Sequence, residues 1–395
     1  MNYRIFYAAG PGDIIRVHQH WMRNEPDPTQ LPTAYSSEFC DFCRDIKAEA
    51  YVISSHHERQ VLRDGPITLE HRPKIWPGAS SLFYHLREVL YALSLVMTAV
   101  RFRANWAVLH SGSTHFFAMS VFRLMGIRTV VMLHNTLWPA GFPPKRPVQR
   151  LITRLNSMFF QWAATATVGV SPECIRQVKQ LTRGRHKAVY EMRPYYRRQT
   201  FETIPLPAFD RNRPFQILWS GRMDAQKGAL EVLTMAYQFE QRWPCRVQWH
   251  VVGGGPMVTQ FQLQQKTMEL DAVVTYYGEQ LPDRLREIIG TTHATIVPTR
   301  SVFAEGLAKT AVESVLSGRP VITNRVVPAL EVLRPACLEA EPDDVESYVE
   351  LILDLSDDRD RYRQLCGACS DLQQQFFDGK LRMRKILLEV INAQA

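Results

Sequence analysis

Short runs of almost continuous apolar residues recur along the chain, and segments with helical spacing separate them. In the first half these runs cover residues 3–9, 50–55, 106–110, 129–134 and 166–170. Continuous hydrophobicity, rather than strict alternation, is typical of central parallel strands that are covered on both faces. Helices are predicted between the runs, over about residues 80–102, 114–125 and 147–163. The pattern therefore predicts an α/β unit with a parallel sheet.

The second half repeats this alternation more regularly. Strands are predicted at residues 215–220, 247–252, 273–277, 294–298 and 320–323, and helices at 228–241, 257–270, 283–290 and 306–317. A regular βαβ series predicts right-handed crossovers and a ligand site at the carboxyl ends of the strands. Residues 195–214 contain three prolines and are expected to link the two units. We expect an N-terminal domain over 1–205, a C-terminal domain over 212–378, and a last helix near 380–395 that could pack on either domain, the first included.

Length and composition agree with two soluble domains. The chain has 395 residues, of which 46% are hydrophobic and 22% charged, and one core rarely grows beyond about 250–300 residues. The apolar stretch 89–100 is shorter than the roughly twenty residues that a spanning helix needs. We therefore expect a cytoplasmic protein.

Seven cysteines make a disulfide framework improbable. Two pairs have C-x-x-C spacing, Cys40 with Cys43 and Cys366 with Cys369, so a zinc site is a possible alternative to structural thiols. No histidine lies at zinc-finger spacing from either pair, and we expect no metal.

Charge is distributed unevenly between the halves. Residues 1–210 hold 26 Lys/Arg and 15 Asp/Glu, whereas residues 211–395 hold 21 and 24. The window 101–200 has 16 basic residues and 2 acidic ones. Such a field attracts phosphates, anionic lipid head groups or nucleic acid.

The turn after strand 215–220 carries Gly221, Arg222, Lys227 and Gly228. A helix N-terminus offers free amide donors to an anion, a guanidinium can bind phosphate oxygens in pairs, and an ammonium adds a point charge. Taken alone, the same residues would also suit a basic surface loop.

Glu305 and Gly306 lie in the loop before helix 306–317, and Glu313 lies within that helix. Carboxylates that face a cleft accept hydrogen bonds from vicinal hydroxyls, and glycine lets a ligand approach the backbone. The alternative is a solvated helix face. Together, two basic residues on one turn and two carboxylates on another suit a phosphate-linked sugar.

This assembly resembles the retaining glycosyltransferases of family 4, which have the GT-B fold of two facing Rossmann-like domains. The match comprises Gly221-Arg222, Lys227-Gly228, the glycine turn 253–256, Gly278 and the segment from Glu305 to Glu313. It covers about residues 215–335. In the first domain it is limited to His134-Asn135 and Val170-Ser171-Pro172.

The resemblance implies a role for each matched position. Arg222 and Lys227 would hold the donor diphosphate, Glu305 the donor sugar, and Glu313 the ribose, with His134 across the cleft near the transferred sugar. The remaining donor-side residues would be Gly221, Gly254, Gly278, Gly306, Leu307 and Lys309. Gly10, Gly12 and Asp13 would frame the acceptor side. Residues 307–310 are Leu-Ala-Lys-Thr, where the family usually has an aromatic-glycine-aliphatic stretch. The first-domain turn is Gly10-Pro-Gly-Asp13 rather than a double glycine.

The co-substrate implied is a nucleotide diphosphate sugar, with no further cofactor. The acceptor would be a glycan or a lipid-linked molecule, and a role in bacterial surface polysaccharide or glycolipid synthesis is typical of the class. The basic first half suggests contact with an anionic membrane, through residues 138–146 or through helix 80–103, which could equally be a buried core helix.

Two other classes of function remain open. A nucleotide-sugar epimerase, hydrolase or phosphorylase would use the same fold. A non-catalytic protein that binds membranes or nucleic acid would also explain the charge. The sequence contains no recognised nucleic-acid-binding motif, and we expect no nucleic acid as a partner. The Asp358-Arg-Asp360 triplet lies between two helices rather than at a strand end, which favours a solvated charge run over a metal site.

Overall fold

The computed structural model describes residues 3–78, 80–110 and 115–394. Within these ranges fourteen strands form two sheets. The strands of the first sheet are β1 Arg4–Ala8, β2 Glu49–Ser54, β3 Gln60–Asp64, β4 Ile67–His71, β5 Trp106–His110, β6 Arg128–Leu133, β7 Ala166–Gly169 and β8 Val189–Glu191. Those of the second are β9 Phe215–Ser220, β10 Val247–Val252, β11 Val274–Gly278, β12 Ala294–Val297, β13 Val321–Asn324 and β14 Cys337–Ala340.

Helices cover the faces of both sheets. They are α1 Ile14–Met22, α2 Tyr35–Asp45, α3 Ser81–Arg101, α4 Val121–Leu124, α5 Pro147–Met158, α6 Pro172–Leu181, α7 Ala229–Arg242, α8 Val258–Thr267, α9 Pro282–Thr291, α10 Lys309–Leu316, α11 Ala329–Val332, α12 Val345–Asp357, α13 Arg359–Phe377 and α14 Met383–Asn392. None of the helices in the described ranges is long and apolar enough to cross a bilayer.

The first sheet has the strand order β3-β4-β2-β1-β5-β6-β7-β8 in the described part of the chain. Its neighbours pair in parallel, except that β3 and β4 form an antiparallel hairpin at one edge. The second sheet has the order β11-β10-β9-β12-β13-β14 and is parallel throughout. The α/β class with two parallel sheets is therefore confirmed.

The core of the first sheet extends beyond its own helices. Ala311, Val312 and Val315 of α10 belong to the same buried cluster as Leu109 and Val131. The chain also returns to the first domain at its end, because α14 packs on α2 and Arg384 forms an ion pair with Asp45. The connecting segment before β9 is held by Arg319, a fully buried residue whose guanidinium donates to the Pro205 carbonyl.

Several predicted elements differ from the observed ones. The helix expected at 114–125 is a 3₁₀ segment, Phe116–Ser120, followed by the short α4. The helix expected from 306 begins only at Lys309, because Ala308 has a left-handed backbone with φ 62°. The hairpin of β3 and β4 was not predicted, since Gln60, Arg63 and Asp64 interrupt the apolar pattern.

One residue of the segment 138–146, the candidate for membrane contact, is packed inside the first domain. Trp138 is buried, and Gln177 of α6 binds both the amide and the carbonyl of Trp138. Gly141, Pro143, Lys145 and Arg146 of this segment are exposed. The Trp138 side chain is therefore packed on the first domain, and membrane contact through the rest of the segment stays a prediction.

Candidate active site

The strand order of the second sheet reverses between β9 and β12. The chain runs outward from β9 through β10 and β11, and then returns to place β12 on the other side of β9. Diverging connections leave a crevice at the carboxyl ends of such a strand pair, which is where open α/β sheets bind ligands. The turn 221–227 follows β9 and the segment 298–305 follows β12, so both candidate motifs meet in this crevice.

An ion pair joins the two motifs. Lys227 Nζ donates to Glu305 Oε2, and Lys227 also lies 4.4 Å from the centre of the Phe303 ring. Glu305 is only 5% exposed and accepts two further hydrogen bonds, from the Thr299 hydroxyl at 3.4 Å and the Gly306 amide at 3.2 Å. The structure therefore holds a fixed cation, with its counter-charge, at the bottom of the crevice.

Arg222 occupies the mouth of the same crevice. Its side chain is 64% exposed and pairs with Asp224 at 2.7 Å. Asp224 is itself fixed, because its carboxylate accepts from the Gln226 amide at 3.1 Å. Arg222 can therefore swing toward an incoming anion, whereas Lys227 is already in position.

Glycines allow the turns after β9 and β10 to pack together. A Cβ on Gly253 would overlap the Gly221 carbonyl, and one on Gly255 would lie 2.6 Å from the Met223 carbonyl oxygen. The amide of Met223 donates to the Gly254 carbonyl at 2.8 Å, and that of Gly253 to Gly278 at 2.8 Å. Gly221, Gly254 and Gly278 thus shape the backbone around the crevice.

Glu313 lies on α10, beside the end of β9. The Thr310 hydroxyl donates to the Ser220 carbonyl at 2.9 Å, which fixes the start of the helix there. The Tyr196 hydroxyl donates to Glu313 Oε1 at 3.2 Å. Burial raises the pKa of Glu313 to about 7, although Lys309 and Tyr196 act in the opposite direction.

The first sheet has its own reversal of strand order, between β1 and β5. The Gly10 turn follows β1 and His110 ends β5, and a Cβ on Gly10 would lie 3.1 Å from His110 Nδ1. His110 stacks on His134 with ring centres 3.6 Å apart and planes 12° apart. The edge of this stack meets Tyr35, whose ring centre lies 4.3 Å from that of His134.

Both histidines of this stack are neutral over the physiological range. Burial lowers the pKa of His110 to about 3, and the Lys309 cation contributes in the same direction. The pKa of His134 is lowered well below its usual value by burial, then by His110 and Lys309. The stack therefore offers uncharged polar groups to the cleft.

The two sheets meet where these sites face each other. A Cβ on Gly306 would overlap the His134 carbonyl, and the Thr136 amide donates to the Glu305 carbonyl at 3.3 Å. Lys309 reaches across the cleft, with Nζ 3.4 Å from Gln30 Oε1. The structure thus brings Lys227, Glu305 and Gly306 together with His134, as one site between the sheets.

A cavity of about 390 Å³ lies on the first-domain side of this cleft. Its lining includes Gly12, Asp13, Gln30, Tyr35 and His110. Asp13 also caps α1 by accepting from the Arg16 amide at 3.0 Å. Leu307 does not line this cavity. It is buried just before α10 begins, with 3% of its surface exposed.

Sequence reasoning missed several residues of the site. Tyr35, Gln30 and Tyr196 lie outside any motif, and only the fold brings them to the cleft. Thr299 could have been predicted from the sequence, since it follows β12 by two residues and therefore lies at the carboxyl edge of the sheet.

The alternative metal sites have structural explanations. Asp358 caps α13 by accepting from the amides of Asp360 and Arg361. All seven cysteines are free, and Cys40 and Cys43 are buried in the core. Among the described residues no three His, Cys, Asp or Glu side chains are grouped to hold a metal ion.

Comparison with known proteins agrees with this geometry. Residues 206–368 match the family "Glycosyl transferases group 1". No curated protein sequence is a significant match to the chain.

Solved structures similar to the chain span its whole length. HepE from Anabaena in complex with UDP-glucose aligns with a TM-score of 0.66 at 14% identity, covering 99% of each chain. Sucrose-phosphate synthase from Thermosynechococcus elongatus aligns with a TM-score of 0.69 at 13% identity, covering 100% of this chain and 99% of that one. The trehalose 6-phosphate synthase of Burkholderia multivorans gives a TM-score of 0.70 at 12% identity, with 100% and 97% coverage. The chain therefore has the GT-B fold of these structures, and its residues 206–368 match the group 1 glycosyl transferases.

Proposed function

We propose that this enzyme moves a sugar from a nucleotide diphosphate sugar to an acceptor hydroxyl, with retention at the anomeric carbon and without a metal ion. The observation that carries the proposal is the Lys227–Glu305 ion pair at the reversal point of the second sheet. It faces the neutral His110–His134 stack across one cleft. One side of the cleft suits a diphosphate, and the other suits hydroxyl groups.

The donor diphosphate would bind between Lys227, Arg222 and the amino-terminal end of α10. The two side chains supply positive charge, and the free amides of a helix N-terminus favour an anion. Glu313 would accept hydrogen bonds from the ribose hydroxyls, with Tyr196 holding its carboxylate. Glu305 would contact the sugar while it keeps Lys227 in place.

The chemical step needs charge stabilisation more than a dedicated base. As the bond from the anomeric carbon to the phosphate oxygen breaks, negative charge grows on the leaving diphosphate. Fixed cations stabilise that charge without reorganising. The acceptor hydroxyl forms the new bond on the same face of the sugar and passes its proton to the leaving phosphate oxygen. His134, kept neutral by burial, would hydrogen-bond the sugar.

The base of the nucleotide donor and the kind of acceptor are proposed from two further observations. The Anabaena structures similar to this chain hold UDP, and in one case UDP-glucose, which makes uridine donors the first to test. The cavity beside Asp13 and His110 provides space for an acceptor, which favours transfer over hydrolysis or epimerisation. We propose a position at the inner face of a bacterial membrane because the first half of the chain is strongly basic. A role in surface polysaccharide or glycolipid synthesis is proposed because it is typical of the class that the chain resembles.

The test is a panel of nucleoside diphosphate sugars, with thermal shift and product analysis. One donor should raise the melting temperature, since a ligand that binds only the folded state stabilises it. That donor should release nucleoside diphosphate slowly to water and faster with an acceptor. An isomerised nucleotide sugar without diphosphate release would instead support an epimerase, and a panel with no binder would overturn the proposal.

A further inference from the structure

Helix α3 exposes a continuous apolar stripe to solvent. Its members recur at intervals of three and four residues, which places them on one face. They are Leu82, Leu86, Leu90, Leu93, Met97 and Val100. Leu82 is 76% exposed and Met97 54%. The opposite face, with Ala92, Leu95 and Ala99, is buried in the core, so α3 is a core helix on one side only.

Helix α5 repeats the pattern. The apolar residues are Val148, Leu151 and Met158 of α5 and Trp162 of the π-helical turn Phe159–Ala163 that continues it. They follow one another at intervals of three, seven and four residues, and each is more than half exposed. Arg150 and Arg154 lie between them along the sequence and are also exposed. A helix with apolar residues on one face and basic residues beside them is typical of interfacial helices that lie in the plane of a bilayer surface.

The two helices belong to one surface of the first domain. Both α3 and α5 pack against the same segment, Phe116–Ser120. Helix α4 adjoins α3 and adds Leu124 and Met125, which are 67% and 52% exposed. Contiguous exposed apolar surface of this kind marks a site of interaction with a protein or a membrane.

The charge around this surface selects the membrane. Residues 81–163 contain nine Lys/Arg and a single acidic residue, Glu88, which is buried and paired with Lys74. Beside α5, a groove of about 490 Å³ is lined by Arg150, Arg154, Arg183 and Arg185. Guanidinium groups bind phosphate oxygens well, so the groove suits phospholipid head groups.

The surface also lies close to the reacting groups. A helix that follows a parallel strand starts at the carboxyl edge of the sheet, and this edge borders the cleft. The start of α3 is fixed there by the hydrogen bond between His85 Nδ1 and His115 Nε2, at 2.8 Å. The more exposed end of the stripe, at Leu82 and Phe83, therefore adjoins the acceptor side.

We propose that α3 and α5 dock the first domain on an anionic lipid bilayer, with the apolar stripes in the head-group region and the arginines on lipid phosphates. The purpose of this docking rests on the proposed function, because it would bring a lipid-linked acceptor to the cleft. The docking itself is measurable without any donor.

The experiment is co-sedimentation with vesicles of phosphatidylcholine, with or without phosphatidylglycerol, at low and high salt. Wild type should bind the anionic vesicles and be released by salt. Leu151→Glu with Met158→Glu should lower binding about tenfold or more, since apolar burial is lost. Arg150→Gln with Arg154→Gln should lower it about fivefold for each charge removed. The matched control is Leu263→Glu with Lys266→Glu on α8, where Leu263 is 65% exposed, and it should bind like wild type.

Donor binding and oligomeric state are measured on the same samples. The α5 variants should keep the thermal shift with donor, which shows that they are folded. Folded wild type that ignores anionic vesicles, or α5 variants that bind as well as the α8 control, would overturn the inference. So would a stable dimer that Leu151→Glu dissociates, because a second copy would then cover the surface. Vesicle binding without any donor response would contradict the proposed function and leave the docking supported.

Discussion

The two sheets have the same topological feature and fill it with opposite chemistry. In the second sheet the reversal between β9 and β12 holds the ion pair of Lys227 and Glu305. In the first, the reversal between β1 and β5 holds His110, stacked on His134, and burial keeps both neutral. The fold therefore supplies the crevice, whereas the side chains decide whether it binds a charged diphosphate or uncharged hydroxyl groups.

The largest effect is expected from removing the fixed cation. Lys227→Ala should lower turnover at least about 100-fold, because a preorganised charge that stabilises the leaving group is lost. Arg222→Ala should cost less, since Arg222 is 64% exposed and pairs with Asp224. Steady-state release of nucleoside diphosphate measures both, with Lys266→Ala as the control. Equal losses of turnover in the Lys227 and Arg222 variants would show that holding Lys227 in an ion pair with Glu305 gives it no larger catalytic effect than the exposed Arg222.

The next effect comes from the joint between the two sites. A side chain on Gly306 would overlap the His134 carbonyl, so Gly306→Ala should hold the domains apart and lower kcat/KM about 30-fold, the scale of a small misplacement of reacting groups. Gly367→Ala on α13 is the control, because nothing lies within 4 Å of its added Cβ. Full activity in Gly306→Ala would mean that the two sites work without this contact.

A smaller effect concerns the pH dependence of donor binding. Glu313 has a pKa of about 7, and its ionised form is the better acceptor for ribose hydroxyls. Affinity for a nucleotide sugar should therefore rise by up to about tenfold from pH 6 to pH 8, the range over which such a group titrates. Glu313→Gln should bind more weakly and show no such rise. Titration calorimetry at each pH checks this, and an unchanged pH profile in the variant would remove Glu313 from the ribose site.

The smallest effect tests the neutral side of the comparison. The folded pKa of His110 is about 3, below the unfolded value near 6.5. The unfolded state therefore binds the extra proton, and the stability that His110 contributes is present above pH 6.5 and falls as the pH falls. His110→Phe should remove about 1 kcal/mol of the loss between pH 6.5 and 5.5.

Denaturant unfolding at the two pH values measures this difference. The control is His57→Phe, because the His57 side chain is 80% exposed. This substitution should leave the loss of stability between the two pH values unchanged. An unaltered pH dependence in His110→Phe would mean that the pKa of His110 is the same in the folded and unfolded states.

Much of the fold was predictable because buried parallel strands have continuous apolar sequences. Trp106–His110 and Phe215–Ser220 were predicted with their observed bounds. Shorter or more polar elements were missed, such as β8 and the β3–β4 hairpin, because an edge strand needs no continuous apolar run. The start of α10 was placed too early because an alanine at φ 62° is not visible in the sequence.

The sequence predicted the individual motifs of the site but not the contacts between them. The spacing of Arg222, Lys227, Glu305 and Glu313 pointed to a donor site, yet their mutual contacts depend on β9 and β12 being neighbours. Strand order is not encoded in periodicity. For the same reason the Gly10–His110 approach, and the contributions of Tyr35 and Tyr196, became evident only from the packing.

The central claim is that Lys227, held by Glu305, binds the donor's diphosphate. Calorimetric titration of the nucleoside diphosphate that the panel identifies, into wild type and Lys227→Met at one pH, tests it most directly. Wild type should bind measurably, and the variant should bind at least about tenfold more weakly, the usual scale for a charge-assisted contact. Equal affinity in a folded variant would contradict it.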